Sequence, residues 1–324
     1  MVSVVRLSGT GSADVLMLEE VERTELAAHE AWIEQEAIGV NFLDVMQRNG
    51  SAPLGLPATL GLEGAGRVTA VGSAVTNVSP GDRVAYMLGP IGAYTSARAY
   101  PAERLIRLPD AIGFDAAAAV LFKGITAQYL LKTTFSVRPG SIVMLYGAAG
   151  ALGQIMVPWA KHLGAQVIGV VSKAASVERA RAAGCDTVFI WGECDLPKEV
   201  SAFTQGAKAH VVYDGVGRDT FETSLDCLGV RGVLASIGAS SGPPPLLDVS
   251  KLNSKGSLYV TRPSLAAHAS NIDEYRQRAN DVLAAIADGI IMPSVWQSFP
   301  LADVRHAHDA LEHGRAAGAV ILKP

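Results

Sequence analysis

The hydrophobic and polar positions of the chain follow one pattern before residue 122 and a different pattern after it. Before about residue 110, short β-prone runs at 32–40, 66–71 and 83–87 are bounded by Gly, Pro and Asp. The Pro-Gly-Asp segment at 80–82 is typical of a turn that leads into a strand. Few long helical patterns interrupt this region, so it is predicted to form a compact β-rich domain.

Beyond residue 122, apolar runs alternate with helical patterns. A strand at 141–146 precedes a glycine turn, and helices are predicted at 151–162 and 176–183. Strands that are apolar throughout and alternate with helices are typical of a parallel, doubly wound sheet. Further strands of this sheet are predicted at 166–172, 187–190, 210–213 and 232–237.

The C-terminal part of the chain has a mixed pattern. It predicts an amphipathic helix at 272–288, a strand at 293–299, a helix at 301–312 and a short apolar strand at 319–322. The fold class is therefore α/β, with a doubly wound parallel sheet and a second, β-rich region.

The glycine turn at 147–153 is the strongest chemical signal in the sequence. It follows a predicted strand and opens a predicted helix, whose free N–H groups and positive dipole end favour a pyrophosphate. The alternative is a tight packing turn without a ligand. Dinucleotide binding predicts cofactor contacts at Ala149, Gly150, Ala151, Leu152 and Gly153.

The end of the second strand indicates which dinucleotide is bound. NAD-binding folds place an acidic residue there, which holds the ribose hydroxyls. This chain has Ser172 and Lys173 instead, and Arg179 follows in the next helix. Because these groups favour a 2′-phosphate, we expect NADPH. The alternative for Lys173 and Arg179 is a solvated helix start.

Composition and charge exclude several classes of protein. The formal net charge is −4 without a basic run, which argues against a nucleic-acid binder. The uncharged stretch at 139–160 is long enough for a membrane span, but its glycines and Pro158 favour a strand, a turn and a helix start instead. The first twenty residues lack the pattern of a signal peptide. We therefore expect a cytoplasmic protein without a membrane segment.

Metal ligands are scarce in the first region. Residues 1–140 contain no Cys and only His29, and Leu62 stands where a ligand His could lie. Three histidines on the last predicted helix, His306, His308 and His313, are expected to have surface or capping roles. We therefore expect no catalytic zinc.

Several motifs occur together in one order along nearly the whole chain. They are GVNFLDV at 39–45, LGLEGAG at 60–66, PGDRV at 80–84, LFKGITA at 121–127, the glycine turn, YDGVG at 213–217, LYVTRP at 258–263 and RAAG at 315–318. With these motifs the chain resembles the zinc-independent medium-chain reductases, specifically the NADPH quinone oxidoreductase and zeta-crystallin branch.

The resemblance implies a layout. A GroES-like catalytic domain would comprise residues 1–121 and 263–324, with a Rossmann NADP(H)-binding domain at 122–262 inserted in it. The family holds the nicotinamide in a cleft between the domains. It also forms homodimers through the Rossmann sheets.

The resemblance further implies site residues. Asn41 and Asp44 would lie near the nicotinamide as catalytic residues, although both could instead cap the following helix. Lys123 and Thr126 would contact the cofactor, although both could instead start a helix. The other implied cofactor contacts are Ser172, Lys173, Trp191, Val216, Gly238, Arg262 and Arg315.

The implied activity is metal-free hydride transfer from NADPH to a quinone, an electron-poor acceptor. Met46 and Ala52 replace tyrosines that are common in bacterial quinone reductases, which makes the predicted pocket more apolar. Ser176 replaces a common lysine of the family. The open alternatives are an enone or double-bond reductase and a cofactor-binding protein with little turnover.

Overall fold

The computed structural model describes residues 1–324, and the chain divides into two compact units. The first unit comprises Met1–Ile125 and His268–Pro324, and the second comprises Thr126–Ala267. These boundaries lie a few residues after the predicted ones at 121–122 and 262–263. No helix combines the length and the apolar character needed to cross a bilayer.

The first unit is built mainly of antiparallel strands. Strands β3, β5, β6, β8, β15 and β16 form one sheet, to which β7 adds by pairing with β3, and β1, β2 and β4 form a smaller one. Its elements are β1 (Val2–Leu7), β2 (Leu16–Val21), β3 (Glu30–Val40), α1 (Phe42–Asn49), β4 (Ala58–Thr59), β5 (Glu63–Val71), β6 (Arg83–Met87), β7 (Ala97–Pro101), β8 (Ile106–Arg107), α2 (Phe114–Tyr129), α9 (Ile272–Ala287), β15 (Val295–Pro300), α10 (Val304–Glu312) and β16 (Ala319–Lys323).

The C-terminal strand completes the larger sheet of the first unit. β16 pairs antiparallel with β3, with Val320 opposite Val40, and parallel with β15. Alternating buried side chains of these strands, such as Ile38, Val320 and Leu322, meet in one hydrophobic core. The last residues of the chain therefore stabilise the strand that leads into α1.

The second unit contains the doubly wound sheet. Its six strands are all parallel, in the order β11-β10-β9-β12-β13-β14. Its elements are β9 (Ile142–Tyr146), α3 (Gly153–His162), β10 (Gln166–Val171), α4 (Val177–Ala182), β11 (Thr187–Ile190), α5 (Leu196–Phe203), β12 (Ala209–Asp214), α6 (Phe221–Asp226), β13 (Leu228–Ser236), α7 (Ser250–Ser254), β14 (Tyr259–Thr261) and α8 (Leu265–His268).

This strand order confirms the predicted Rossmann fold. Counted from β9, it is the order 3-2-1-4-5-6 of dinucleotide-binding sheets. The connections reverse direction between β9 and β12. In such sheets ligands bind at the carboxyl ends of the strands beside this switch point. The glycine turn after β9 and the loop after β12 both lie there.

Candidate active site

Asn41 lies between β3 and α1, where the chain leaves the larger sheet. On the neighbouring strand β5, Glu63 is paired with Gly39. A Cβ atom at Gly39 would lie 2.3 Å from Glu63 Oε1 and 2.3 Å from the carbonyl oxygen of Ala118. Glycine at position 39 thus leaves room for the Glu63 carboxylate.

Asn41, Glu63 and Lys123 form a buried polar cluster. Glu63 is fully buried and Asn41 is 4% exposed. The Lys123 ammonium donates to Asn41 Oδ1 at 2.8 Å and to Glu63 Oε1 at 3.3 Å. The Asn41 amide nitrogen donates to the same Glu63 oxygen at 2.9 Å. Two predicted site residues, Asn41 and Lys123, are therefore in direct contact, and Glu63 fixes the orientation of both.

Glu63 also binds the main chain of α2. Its Oε2 atom accepts a hydrogen bond from the Phe122 N–H at 2.8 Å. The carboxylate thus links β5, α2 and the start of α1. Because a buried carboxylate requires a nearby cation and hydrogen-bond donors, these contacts account for its place in the core.

Asp44 lies in the first turn of α1 and is fully buried. Its Oδ2 atom accepts hydrogen bonds from the Asn41 N–H at 2.8 Å and from the Tyr94 hydroxyl at 2.9 Å. Asn41 is the N-cap residue of α1 and forms a capping box with Asp44, so the capping alternative holds for both residues. Burial raises the pKa of Asp44 to about 7, although the hydrogen bonds from Asn41 and Tyr94 lower it.

His308 was expected to have a surface or capping role, and this prediction is wrong. The side chain is completely buried, and its Nε2 atom lies 3.0 Å from the Tyr94 hydroxyl oxygen. The hydrophobic face of α10 carries it inward, between Ala307 and Ala310. His306 on the same helix is exposed, as expected.

The glycine turn joins β9 to α3 in the second unit. Gly147 has a φ of 69°, a left-handed conformation that favours glycine. A Cβ atom at Gly153 would lie 2.3 Å from the Ala148 carbonyl oxygen, so only glycine lets the helix start this close to the turn. The N–H groups of Ala151 and Leu152 donate to no backbone carbonyl outside the helix. The turn thus offers backbone donors to an anion.

Asp214 shapes the loop that follows β12 on the other side of the switch point. It is buried, and its Oδ1 atom accepts from the N–H groups of Val216 and Gly217 at 2.8 and 3.0 Å. A Cβ atom at Gly238 would lie 2.6 Å from the Gly215 carbonyl oxygen. Val216 and Gly238 therefore belong to two loops whose backbones are in contact.

Three predicted contacts surround the end of β10. Ser172 and Lys173 are exposed directly after the strand. The Trp191 ring packs edge-on against Tyr146, with 5.8 Å between ring centroids. The Arg179 guanidinium lies 3.5 Å from the carbonyl oxygen of Ala149 in the glycine turn. Cationic groups are thus available beside the turn.

The remaining predicted residues are more dispersed. Arg262 is exposed after β14 and donates to Ser236 Oγ at the end of β13, at 3.1 Å. Thr126 begins the second unit within α2. Arg315 is exposed after α10 in the first unit. Within the first unit, no contact joins Arg315 to the Asn41 cluster.

Sequence reasoning missed Glu63, Tyr94 and His308. One sequence feature could have identified Glu63 as a site residue, because it is a lone acid between glycines in an apolar strand segment. Tyr94 and His308 had none, because their contact joins positions 214 residues apart.

The donor set does not fit a zinc ion. No group of three or more His, Cys, Asp or Glu side chains in the structure is arranged to hold a metal. The two acids of the first-unit site, Asp44 and Glu63, are hydrogen-bonded to Tyr94, Asn41 and Lys123.

Known proteins resemble both parts of the chain. A family model described as "Alcohol dehydrogenase GroES-like domain" matches residues 27–131, and one described as "Zinc-binding dehydrogenase" matches residues 151–283. A quinone oxidoreductase of Pseudomonas aeruginosa is 41% identical over 325 residues, which is 100% of both chains. A 2-haloacrylate reductase of Burkholderia is 39% identical over 331 residues, covering 100% of this chain and 99% of the relative.

Solved structures agree with this resemblance. The structure of Escherichia coli quinone oxidoreductase complexed with NADPH has a TM-score of 0.95 and 41% sequence identity, and the match covers 99% of this chain and 100% of that one. With relatives of this identity over the full length, the chain belongs to the quinone oxidoreductase family of the medium-chain dehydrogenases/reductases and is an oxidoreductase enzyme.

Proposed function

We propose that the protein catalyses NADPH-dependent, metal-free reduction of quinones. The observation that carries the proposal is the glycine turn at the switch point of the parallel sheet, with unpaired N–H groups at Ala151 and Leu152. The Escherichia coli relative solved with NADPH supports the same cofactor. When bound, NADPH supplies a hydride to an electron-poor acceptor.

The residues of the first unit prepare the acceptor site in this proposal. The Asn41 amide is held at both its oxygen and its nitrogen, which fixes its orientation in the structure. Lys123 is a cation in a water-poor environment, with its side chain 12% exposed. A fixed cation of this kind stabilises the negative charge that develops on an acceptor oxygen. Asp44 holds the start of α1 through the Asn41 N–H.

Initial rates with a panel of acceptors test the proposal. NADPH or NADH is combined with a small quinone, a bulky quinone and an enone, and the loss of reduced-nicotinamide absorbance is followed. We expect NADPH-dependent reduction of a quinone, reduced at least about tenfold by Asn41→Ala. Asn280→Ala, an exposed position on α9, is the matched control and should retain full activity. NADPH binding without turnover of any acceptor would instead indicate a cofactor-binding protein.

An enone or double-bond reductase is the second candidate. The 2-haloacrylate reductase of Burkholderia, whose name describes a substrate with a conjugated double bond, supports it at 39% identity. Met46 and Ala52 in place of tyrosines make the acceptor site more apolar. Turnover of the enone without turnover of either quinone would favour this candidate.

Cofactor selectivity gives a further prediction. We infer that Ser172, Lys173 and Trp191 of the second unit hold the adenosine end of NADPH. Lys173→Glu should raise KM for NADPH by roughly tenfold or more and leave KM for NADH nearly unchanged, because only NADPH carries the 2′-phosphate. Lys198→Glu is the matched control, since Lys198 is exposed on α5 of the same unit. Equal effects on both cofactors would contradict the assignment.

We also infer that a second copy of the chain pairs with the second unit along the free edge of its sheet. β14 is the last strand of that sheet. Large apolar side chains are exposed on the unit, among them Val230 (76%), Val249 (70%) and Tyr259 (59%). Light scattering should show a dimer for the native protein and a monomer for Tyr259→Asp, whereas Met292→Asp on the first unit should remain dimeric. A monomeric native protein would contradict the inference.

A further inference from the structure

Three buried polar groups form a chain of hydrogen bonds inside the first unit. The chain runs from Asp44 on α1 through the Tyr94 hydroxyl to His308 on α10. The Tyr94 oxygen lies 2.9 Å from Asp44 Oδ2 and 3.0 Å from His308 Nε2. All three side chains are completely buried. Each of these groups can both donate and accept a proton, if Asp44 is able to titrate.

Both ends of this chain carry an unused polar atom. Asp44 Oδ1 and His308 Nδ1 are buried and have no hydrogen-bond partner. An unpaired oxygen makes an ionised carboxylate costly inside the protein. Because Nδ1 has no partner, no hydrogen bond there decides which ring nitrogen of His308 carries the proton. Because both end atoms are buried, a proton enters or leaves this chain of hydrogen bonds only when the protein opens locally at one end.

Charged side chains from several helices and strands surround these three hydrogen-bonded groups. Glu63 on β5 and Lys123 on α2 act on Asp44 with opposite signs. Arg48 on α1 acts on Tyr94 and His308, and it is itself paired with Glu312 of α10 at 2.8 Å.

The three groups differ in how easily they change charge. Burial raises the pKa of Asp44 to about 7 and that of Tyr94 well above its usual value, and it lowers the pKa of His308 to about 3. Near neutral pH, only Asp44 therefore changes its net charge. Tyr94 and His308 stay neutral and can pass a proton without keeping it.

We propose that Asp44, Tyr94 and His308 form a proton relay that loads Asp44 from the side of His308. In the ionised state, His308 Nε2–H donates to the Tyr94 oxygen and the Tyr94 hydroxyl donates to Asp44. When local opening of the protein brings water to His308 Nδ1, proton uptake there releases the Nε2 proton to Tyr94 and the Tyr94 proton to Asp44 Oδ2. Asp44 ends protonated, Tyr94 is unchanged, and His308 ends neutral in its other tautomer.

The relay supplies a proton to the reaction proposed above, and this part rests on the proposed function. Reduction of a quinone by one hydride adds two electrons and one hydrogen and leaves an oxygen anion. Protonated Asp44 gives its proton to that anion and becomes a carboxylate. The relay then restores the proton from solvent, so that one proton is consumed in each turnover. Tyr94 and His308 act through Asp44 and are positioning residues.

The tautomer of His308 tests the relay in the protein without cofactor. Selective ¹⁵N labelling of the seven histidines, with assignment by His308→Gln, reports which ring nitrogen carries the proton. We expect His308 to change tautomer with a midpoint near pH 7 and without becoming charged. Tyr94→Phe and Asp44→Asn should abolish this change, while His306→Gln should preserve it. One tautomer from about pH 5 to about pH 9, or an unchanged transition in Tyr94→Phe, would overturn the proposal.

Two further measurements separate the relay from the reaction. The melting temperature of the native protein should fall between about pH 4 and about pH 7, since folded Asp44 keeps a proton that the unfolded chain releases, and Asp44→Asn should lack this contribution. In turnover, Tyr94→Phe should lower kcat at least about tenfold and leave KM unchanged. An unchanged kcat would overturn the role in the reaction. If no acceptor is reduced by the native enzyme, the proposed function fails while the tautomer measurement still decides the relay.

Discussion

Glu63→Ala is expected to lower the free energy of unfolding by about 3–5 kcal/mol and to abolish turnover. The substitution leaves the Lys123 ammonium without its carboxylate in a site where Glu63 is fully buried. It also removes the acceptor of the Phe122 N–H and of the Asn41 amide nitrogen. Because folded domains are stable by about 5–15 kcal/mol, the variant should be measurably weakened in urea denaturation.

Two variants define what this result means. Glu34→Ala, at an exposed position of the neighbouring strand β3, should change stability by less than about 0.5 kcal/mol. The double variant Glu63→Leu with Lys123→Met removes both charges and should recover part of the lost stability without activity. If Glu63→Ala lowers the free energy of unfolding by less than about 1 kcal/mol, the Glu63–Lys123 pair stabilises the fold no more than an exposed ion pair does.

Gly153→Ala is expected to weaken both the fold and NADPH binding. The new methyl group would lie 2.3 Å from the Ala148 carbonyl oxygen and 2.6 Å from that of Gly147, so the start of α3 must move away from the turn. Overpacking of this kind costs about 1–3 kcal/mol, although alanine otherwise favours a helix. The displaced amides should lower NADPH affinity by at least about tenfold, measured by calorimetry beside the melting temperature.

Gly150→Ala separates the two effects. At this position the nearest atom to a new Cβ is the Gly147 carbonyl oxygen at 3.2 Å, a smaller overlap than at Gly153, so the loss of stability should be smaller than for Gly153→Ala. The methyl group would still occupy the space in which a pyrophosphate approaches the backbone, so NADPH affinity should fall. Gly113→Ala, with no atom within 4 Å of the new Cβ, is the neutral control. Normal NADPH binding in Gly150→Ala would contradict a phosphate site at the turn.

The doubly wound sheet could be predicted because its strands are apolar along their whole length. Strand β11 has the predicted bounds, Thr187–Ile190. Strand β13 begins at Leu228, four residues before the predicted start at 232. Its register with β12 is irregular between Ala209 and Val211, so residues 229–232 leave the ladder. Gly229 and Gly232 make this segment look like a turn in the sequence, which explains the difference.

The site could be predicted only where a local pattern marks it. The glycine turn combines a strand, a turn and a helix within a few positions, so sequence reasoning recognises it. The Asn41 cluster depends instead on strand register, since Glu63 reaches Asn41 across Gly39. The buried position of His308 depends on how α10 packs, which the spacing of its neighbouring histidines does not reveal. Long-range packing therefore limits what one sequence shows.

The pairing of β16 with β3 has a consequence for synthesis on the ribosome. The second unit is continuous in sequence, from Thr126 to Ala267, and can fold as soon as it leaves the exit tunnel. The first unit lacks β16 until residues 319–323 have left the exit tunnel, so β3 keeps an unpaired edge after the inserted unit is complete. Such an edge attracts other unfinished chains. The emergence of β16 thus ends the period in which the nascent first unit exposes this edge.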